Sequence, residues 1–99
     1  MAQAIHKFML YDVQNVLTLP KGWLPLSVHN QRGYICVWIL LDTDEREKEA
    51  IVFYALATGE CPVKVDPDTM HFIGTVLVEK GDLVFHVFAD TEPTDCGIR

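Results

Sequence analysis

The residues Tyr34-Ile35-Cys36-Val37-Trp38-Ile39-Leu40-Leu41 decide the fold class, because no polar side chain interrupts them. A strand with one solvent-facing side alternates apolar and polar residues, whereas a strand covered on both sides is apolar throughout. A short run that is rich in β-branched and aromatic residues favours a strand. The stretch therefore predicts a central β-strand, continuing to Asp42, that is covered on both faces or lies at a dimer interface.

Six further runs with strand character flank this segment, and turn signals separate them at intervals of about ten residues. They span residues 4–11, 15–19, 24–30, 50–56, 71–78 and 83–89. In the first run, Phe8 and Leu10 fall on one face and Lys7 and Met9 on the other. Seven short strands predict a mostly β fold, a single-domain antiparallel β-sandwich or small barrel with at most one short helical turn.

The last hairpin is the clearest local prediction. The runs 71–78 and 83–89 flank Glu79-Lys80-Gly81-Asp82, a four-residue turn with glycine where a positive φ is needed. Residues that face each other across an antiparallel hairpin have numbers with a constant sum, here about 161. His86 should therefore lie opposite Thr75, and His71 near Asp90. The two histidines are then too far apart to share a metal ion.

The composition limits the classes of partner. The 99 residues carry 8 Lys and Arg against 14 Asp and Glu, a formal net charge of -6. This charge repels phosphate backbones, so we expect no direct nucleic-acid binding. The length predicts one β-rich domain over residues 1–90, followed by a polar C-terminal tail over 91–99 that frays. We expect no membrane association, because no apolar run reaches the roughly 18 residues that a span requires.

The cysteines indicate the compartment. Cys36, Cys61 and Cys96 are an odd number, and no signal peptide begins the chain, so free thiols in a reducing, cytoplasmic compartment are expected. Cys36 lies in the most apolar stretch and should be a small core residue. Cys96 lies in the polar tail and should be exposed.

Known catalytic motifs are missing. Ser27, the only serine, lies within a predicted strand and outside a G-x-S-x-G turn. Thr58-Gly59 does not match a phosphate loop, and no G-x-G-x-x-G occurs. The cysteines have no histidine at a diagnostic spacing. We therefore expect a protein that is not an enzyme and that holds no cofactor or metal.

Two groups of residues are candidates for binding. The first is a charge run that could meet a basic partner surface or mimic nucleic acid, although a solvated connection is the plainer interpretation; its acidic members are Asp42, Asp44, Glu45, Glu47 and Glu49. The second group could bind a nucleotide and consists of Trp23, Thr58, Gly59, Glu60 and His86. Trp23 would either cover the core as a lid or anchor an interface. Trp38, in the central strand, is expected in the core.

Several segments, distributed over residues 4–89, carry a family resemblance. They are Ile5-His6-Lys7 with Leu10, Gln14, Leu19-Pro20-Lys21-Gly22, Leu26-Ser27-Val28, Gln31, Cys36-Val37-Trp38, Thr58-Gly59, Phe72-Ile73-Gly74-Thr75-Val76 and Leu83-Val84-Phe85-His86-Val87-Phe88. As a set they resemble a small domain family of unknown function that is encoded mostly by tailed phages and prophages. Where that family tends to have Gly-Thr-Gly-His, this chain has Ala57-Thr58-Gly59-Glu60.

The resemblance implies no catalytic residue, but it does suggest a biological setting. Small acidic phage proteins often bind and block host machinery, so we expect an inhibitor of a host or anti-phage defence protein in the bacterial cytoplasm. Two alternatives are open. The protein could sequester a nucleotide signal, or it could be a homo-oligomeric structural accessory protein with the strand 34–41 or 83–89 at a subunit interface.

Overall fold

In the computed structural model, residues 2–91 are described, and seven strands form two antiparallel sheets. The strands are β1 (Gln3–Leu10), β2 (Gln14–Pro20), β3 (Leu24–Gln31), β4 (Tyr34–Asp42), β5 (Lys48–Ala57), β6 (Met70–Val78) and β7 (Leu83–Asp90), and a short 3-10 turn covers Glu79–Gly81. The three-stranded sheet has the order β1-β4-β3 and the four-stranded sheet the order β2-β5-β7-β6. The predicted mostly β fold is confirmed, as a sandwich, and each predicted strand agrees with its observed bounds to within two residues.

The two sheets pack face to face through one side of β4 and one side of β5. Val37 and Ile39 of β4 join Ile51 and Phe53 of β5 in a single cluster, and all four side chains have no exposed surface. Burial of a side chain of this kind stabilises the folded state by about 1.5–3 kcal/mol. This shared core holds the two sheets together.

β5 is also buried on its other face. Residues 51–56 are buried without interruption. Val52, Tyr54 and Leu56 point away from the shared core and form a second cluster with Met70. Val63, Val65 and Phe88 pack against that cluster, so the irregular segment after β5 folds back over the four-stranded sheet.

The second face of β4 has a different environment. Tyr34, Cys36, Trp38 and Leu40 alternate with the core residues and point away from the four-stranded sheet. Cys36 is buried as predicted. The prediction that Trp38 belongs to the core is wrong, because Trp38 lies half-buried on this outer face, with its ring 5.9 Å from that of His29.

Between the turn and Gly74, the hairpin β6–β7 has the predicted register. Thr75 lies opposite His86, as the constant sum requires. A β-bulge between Phe72 and Gly74 shifts the pairing beyond it by one residue, so His71 faces Ala89 and not Asp90. The bulge also turns Phe72 outward, while Ile73 packs against the core.

One side of the sandwich is closed by a tight contact between β3 and β6. A Cβ atom on Gly74 would lie 2.8 Å from Val28 Cγ1, which is closer than carbon atoms can approach. Next to this contact, Asn30 Nδ2 donates a hydrogen bond to the Leu77 carbonyl at 3.1 Å. Glycine is therefore required at position 74 for steric reasons.

Met1 and residues 92–99 lie outside the described residues. These positions include Cys96 and all of the predicted C-terminal tail except Thr91. Within residues 2–91, the model contains no helix of the length and hydropathy that a bilayer span requires.

Gly74→Ala should lower the free energy of unfolding by about 1–3 kcal/mol, because the added methyl group overpacks the contact with Val28. In a Val28→Ala background the same substitution should cost at least about 0.5 kcal/mol less, since the clashing Cγ1 atom is gone. Urea unfolding of the two single variants and the double variant measures both numbers. Additive effects of the two substitutions would contradict the steric explanation.

Candidate functional site

The five acidic candidates are engaged in local contacts at the end of the sandwich where β4 leads into β5. Within the chain, a carboxylate oxygen of each accepts a hydrogen bond: Asp42 from the Asp44 amide, Asp44 from the Ala2 amide, Glu45 from the Glu47 amide, Glu47 from Lys21 Nζ and Glu49 from Trp23 Nε1. Asp42 and Glu49 lie within strands and are partly buried. The charge run thus stabilises the connection and the strand ends that flank it.

Trp23 packs over the edge of the core. Its ring lies 6.0 Å from that of Phe53, and the side chain contacts the main buried cluster. Its indole N–H donates to Glu49 Oε2 at 2.9 Å, so the polar atom of the ring has a partner. This is the geometry of a lid on the core. Trp23 does not line the groove that contains the other predicted nucleotide-binding residues.

Those other residues come together in an open groove of about 550 Å³ on the outer side of the four-stranded sheet. Four predicted residues line it, namely Thr58, Gly59, Glu60 and His86. Apolar side chains from β5, β6, β7 and the segment after β5 form the rest of its walls, including Leu56, Val65, Phe72 and Phe88. The volume falls in the range of about 300–1,000 Å³ that is usual for ligand sites.

The polar end of the groove is a hydrogen-bonded chain centred on His86. Thr58 Oγ1 lies 2.7 Å from His86 Nε2, and Thr75 Oγ1 lies 3.1 Å from His86 Nδ1. The hairpin register places Thr75 opposite His86, and the end of β5 brings Thr58 to the other side of the ring. Both ring nitrogens have a partner, which fixes the orientation of the imidazole.

The loop above the groove is held by main-chain hydrogen bonds. The Thr58 amide donates to the Val84 carbonyl at 2.9 Å, and the Glu60 amide donates to the Ala57 carbonyl at 3.0 Å. Gly59 has a φ of +91°, which side-chain-bearing residues rarely adopt. The loop therefore presents Thr58 and Glu60 in defined positions at the rim.

The groups that contact His86 are hydroxyls. Thr58 contacts one ring nitrogen of His86, and the Thr75 hydroxyl contacts the other, the position that a carboxylate holds in a Ser-His-Asp triad. In the described part of the chain, no group of three or more His, Cys, Asp and Glu side chains is placed to hold a metal ion. Cys36 and Cys61 are free thiols, one buried and one exposed.

A second surface lies on the outer side of the three-stranded sheet and includes the strand 34–41, which the sequence offered as a possible subunit interface. We define this apolar face by the residues Ile5, Leu24, Tyr34, Trp38 and Leu40. Ile5, Leu24 and Tyr34 retain 59%, 53% and 50% of their accessible surface. The signal in the sequence is the apolar residue at every second position of β4, which predicted either cover on both faces or a dimer interface.

The fold and these two surfaces define a small antiparallel β-sandwich with an open groove on the four-stranded sheet and exposed apolar side chains on the three-stranded sheet. The chain belongs to the family described as Domain of unknown function (DUF7352), whose model matches residues 1–95. The predicted resemblance to a family of unknown function is therefore supported, and a phage origin is not part of that match. Neither the curated proteins nor the solved structures contain a match to the chain.

Trp23→Ala should destabilise the protein by about 2 kcal/mol, less than the 3–5 kcal/mol of a fully buried tryptophan, because the lid is partly exposed. Trp23→Phe keeps an aromatic ring over the core and loses the hydrogen bond to Glu49 and the smaller ring of the indole, so it should cost less, about 1 kcal/mol. Thermal or urea unfolding measures both. If Trp23→Ala leaves stability unchanged, Trp23 is not a lid on the core.

Proposed function

We propose that this protein is a small, non-enzymatic binding protein that acts by occupying the surface of another protein through its apolar face. The observation that carries the proposal is the exposure of large apolar side chains across all three strands of one sheet. Exposed clusters of apolar side chains mark interaction sites in soluble proteins.

The strand register groups apolar side chains at each end of the face, and between the two ends Lys7 lies opposite Trp38 and donates a hydrogen bond to Gln31. Leu40 of β4 lies directly opposite Ile5 of β1 on one side and Leu24 of β3 on the other. Side chains in such positions have Cβ atoms about 4.5–5.5 Å apart, close enough to contact one another. At the other end of β4, the ring of Tyr34 lies 6.3 Å from that of Tyr11, which is 71% exposed. A partner could therefore bury aromatic and aliphatic groups together, the combination that dominates binding hot spots.

The apolar face supports protein binding better than the acidic residues do. All five carboxylates of the charge run already accept hydrogen bonds within the chain. These contacts hold the run in a local arrangement, and Asp42 and Glu49 are partly buried, which limits the acidic surface that a partner could reach.

The finer proposal concerns the biological partner. The resemblance to phage and prophage domains, together with small size and acidity, favours a phage-encoded protein that inhibits a host or anti-phage defence component in the bacterial cytoplasm. The β-sandwich itself is equally compatible with other partners. The identity of the partner is therefore proposed from sequence resemblance, and the surface is proposed from the structure.

Sequestering of a nucleotide signal is the alternative function. The groove supports it by gathering Thr58, Gly59, Glu60 and His86. Two observations weigh against it: Trp23 lies elsewhere, and no described residue that lines the groove is a lysine or arginine that could pair with a phosphate. Protein binding is therefore the function that the geometry favours.

Ile5→Lys and Tyr34→Lys should each weaken binding of the captured partner by at least about tenfold, because a desolvated ammonium group would be placed in an apolar interface. Val16→Lys is the matched control, since Val16 is 62% exposed on the other sheet. The tagged protein is used to capture a partner from bacterial lysate, and affinities are then measured with purified partner. Equal affinities for all four proteins would contradict the proposed surface.

Salt dependence separates the apolar face from the acidic residues. Between about 0.1 M and 1 M salt the Debye length falls from about 10 Å to about 3 Å, which screens ionic contacts but leaves apolar ones. We expect the affinity to change little over this range. A large loss of affinity in high salt would point to the acidic residues, and a dimer in sedimentation that Tyr34→Lys dissociates would assign the apolar face to self-association.

A further inference from the structure

The groove on the four-stranded sheet has the shape and lining of a site for a flat ring. The rings of Phe72 and Phe88 pack edge to face, with centroids 5.4 Å apart and planes at 61°. Phe72 is nevertheless 57% exposed beside the groove, which leaves ring surface free for another aromatic group. Leu56 and Val65 extend the apolar lining. Aromatic rings interact favourably in stacked or edge-to-face arrangements.

The polar end of the groove can serve either a donor or an acceptor. In a neutral imidazole one nitrogen carries a proton and the other accepts. If His86 Nε2 carries the proton, the Thr58 hydroxyl accepts from it and keeps its own proton for a ligand. If Nδ1 carries the proton, Thr58 donates to Nε2 and keeps a lone pair for a ligand. The ring edge of a heteroaromatic compound presents both kinds of group.

The charge of the groove determines which ring compounds fit. Among the described residues that line it, Glu60 is the one acidic side chain, and there is no lysine or arginine. The chain as a whole has a formal net charge of -6. A carboxylate at the rim accepts a hydrogen bond from an amino group and repels a phosphate. The groove therefore favours neutral or cationic ligands.

We propose that this groove binds a heteroaromatic ring that bears an amino group and no phosphate, which is the chemistry of a free nucleobase or nucleoside. The ring would lie against Phe72, and its polar edge would meet Thr58 and Glu60. The inference is independent of protein binding through the apolar face, because the two surfaces belong to different sheets. If an experiment rules out protein binding through the apolar face, the proposal for the groove still stands, and the reverse also holds.

Matched pairs of nucleosides and their monophosphates test the chemical class. Adenosine, cytidine and guanosine are titrated separately against the full chain at low salt, followed by chemical-shift perturbation, and each is compared with its 5′-monophosphate. We expect at least one nucleoside to bind with shifts at Thr58, Phe72 and His86. Its monophosphate should bind about fivefold or more weakly, since a dianion meets the Glu60 carboxylate. Binding of none of the three nucleosides, or tighter binding of the monophosphates, would overturn the proposal.

Two variants test the assigned contacts. Glu60→Lys should reverse the preference, so that the monophosphate binds more tightly than the nucleoside. Phe72→Ala should weaken nucleoside binding by about fivefold to a hundredfold, the usual value of one base–aromatic stack. Leu77→Ala is the control for Phe72→Ala, because Leu77 is 54% exposed on the same strand and does not line the groove. If folded Phe72→Ala and Leu77→Ala proteins bind the nucleoside equally well, the ring does not lie on Phe72.

Discussion

The structure depends on one constraint: β4 and β5 are each apolar on both faces, but a sandwich of two sheets covers only one face of each. The shared core takes the inner faces, where Val37, Ile39, Ile51 and Phe53 are fully buried. The outer faces then carry apolar side chains that need separate cover, because apolar surface exposed to water is unfavourable. The two strands meet this requirement differently, and each outcome produces one of the two candidate surfaces.

The connections that follow the strands explain the difference. β5 is followed by the irregular segment 58–69, which is long enough to fold back and place Val63 and Val65 over the outer face. That cover leaves the groove beside His86. β4 is followed by residues 43–47, a short charged connection that leads directly into β5. It supplies no apolar side chain for the outer face of β4, and Tyr34, at the opposite end of the strand, is half-exposed.

The sequence pattern predicted the features that depend on residues close together in the chain. Alternation and turn residues located all seven strands, and the hairpin turn set the register that places His86 opposite Thr75. The bulge beside Gly74 and the close approach of Val28 to that glycine were missed, because Val28 comes from a strand that is distant in sequence. The hydrogen-bond partners of Trp23 and of the acidic residues, and the exposure of Phe72, also depend on residues that are distant in sequence, so they were not predicted. Periodicity shows that a strand has two apolar faces, but tertiary packing decides which segment covers each.

The most direct test of this account is the oxidation of two tyrosines by hydroxyl radicals, followed by mass spectrometry. Tyr34 and Tyr54 have the same chemistry and lie on the outer faces of β4 and β5, with 50% and 5% of their surface exposed. At a concentration where the protein is a monomer, the account predicts rapid oxidation of Tyr34 and strong protection of Tyr54. Equal rates, or a protected Tyr34 in the monomer, would contradict it.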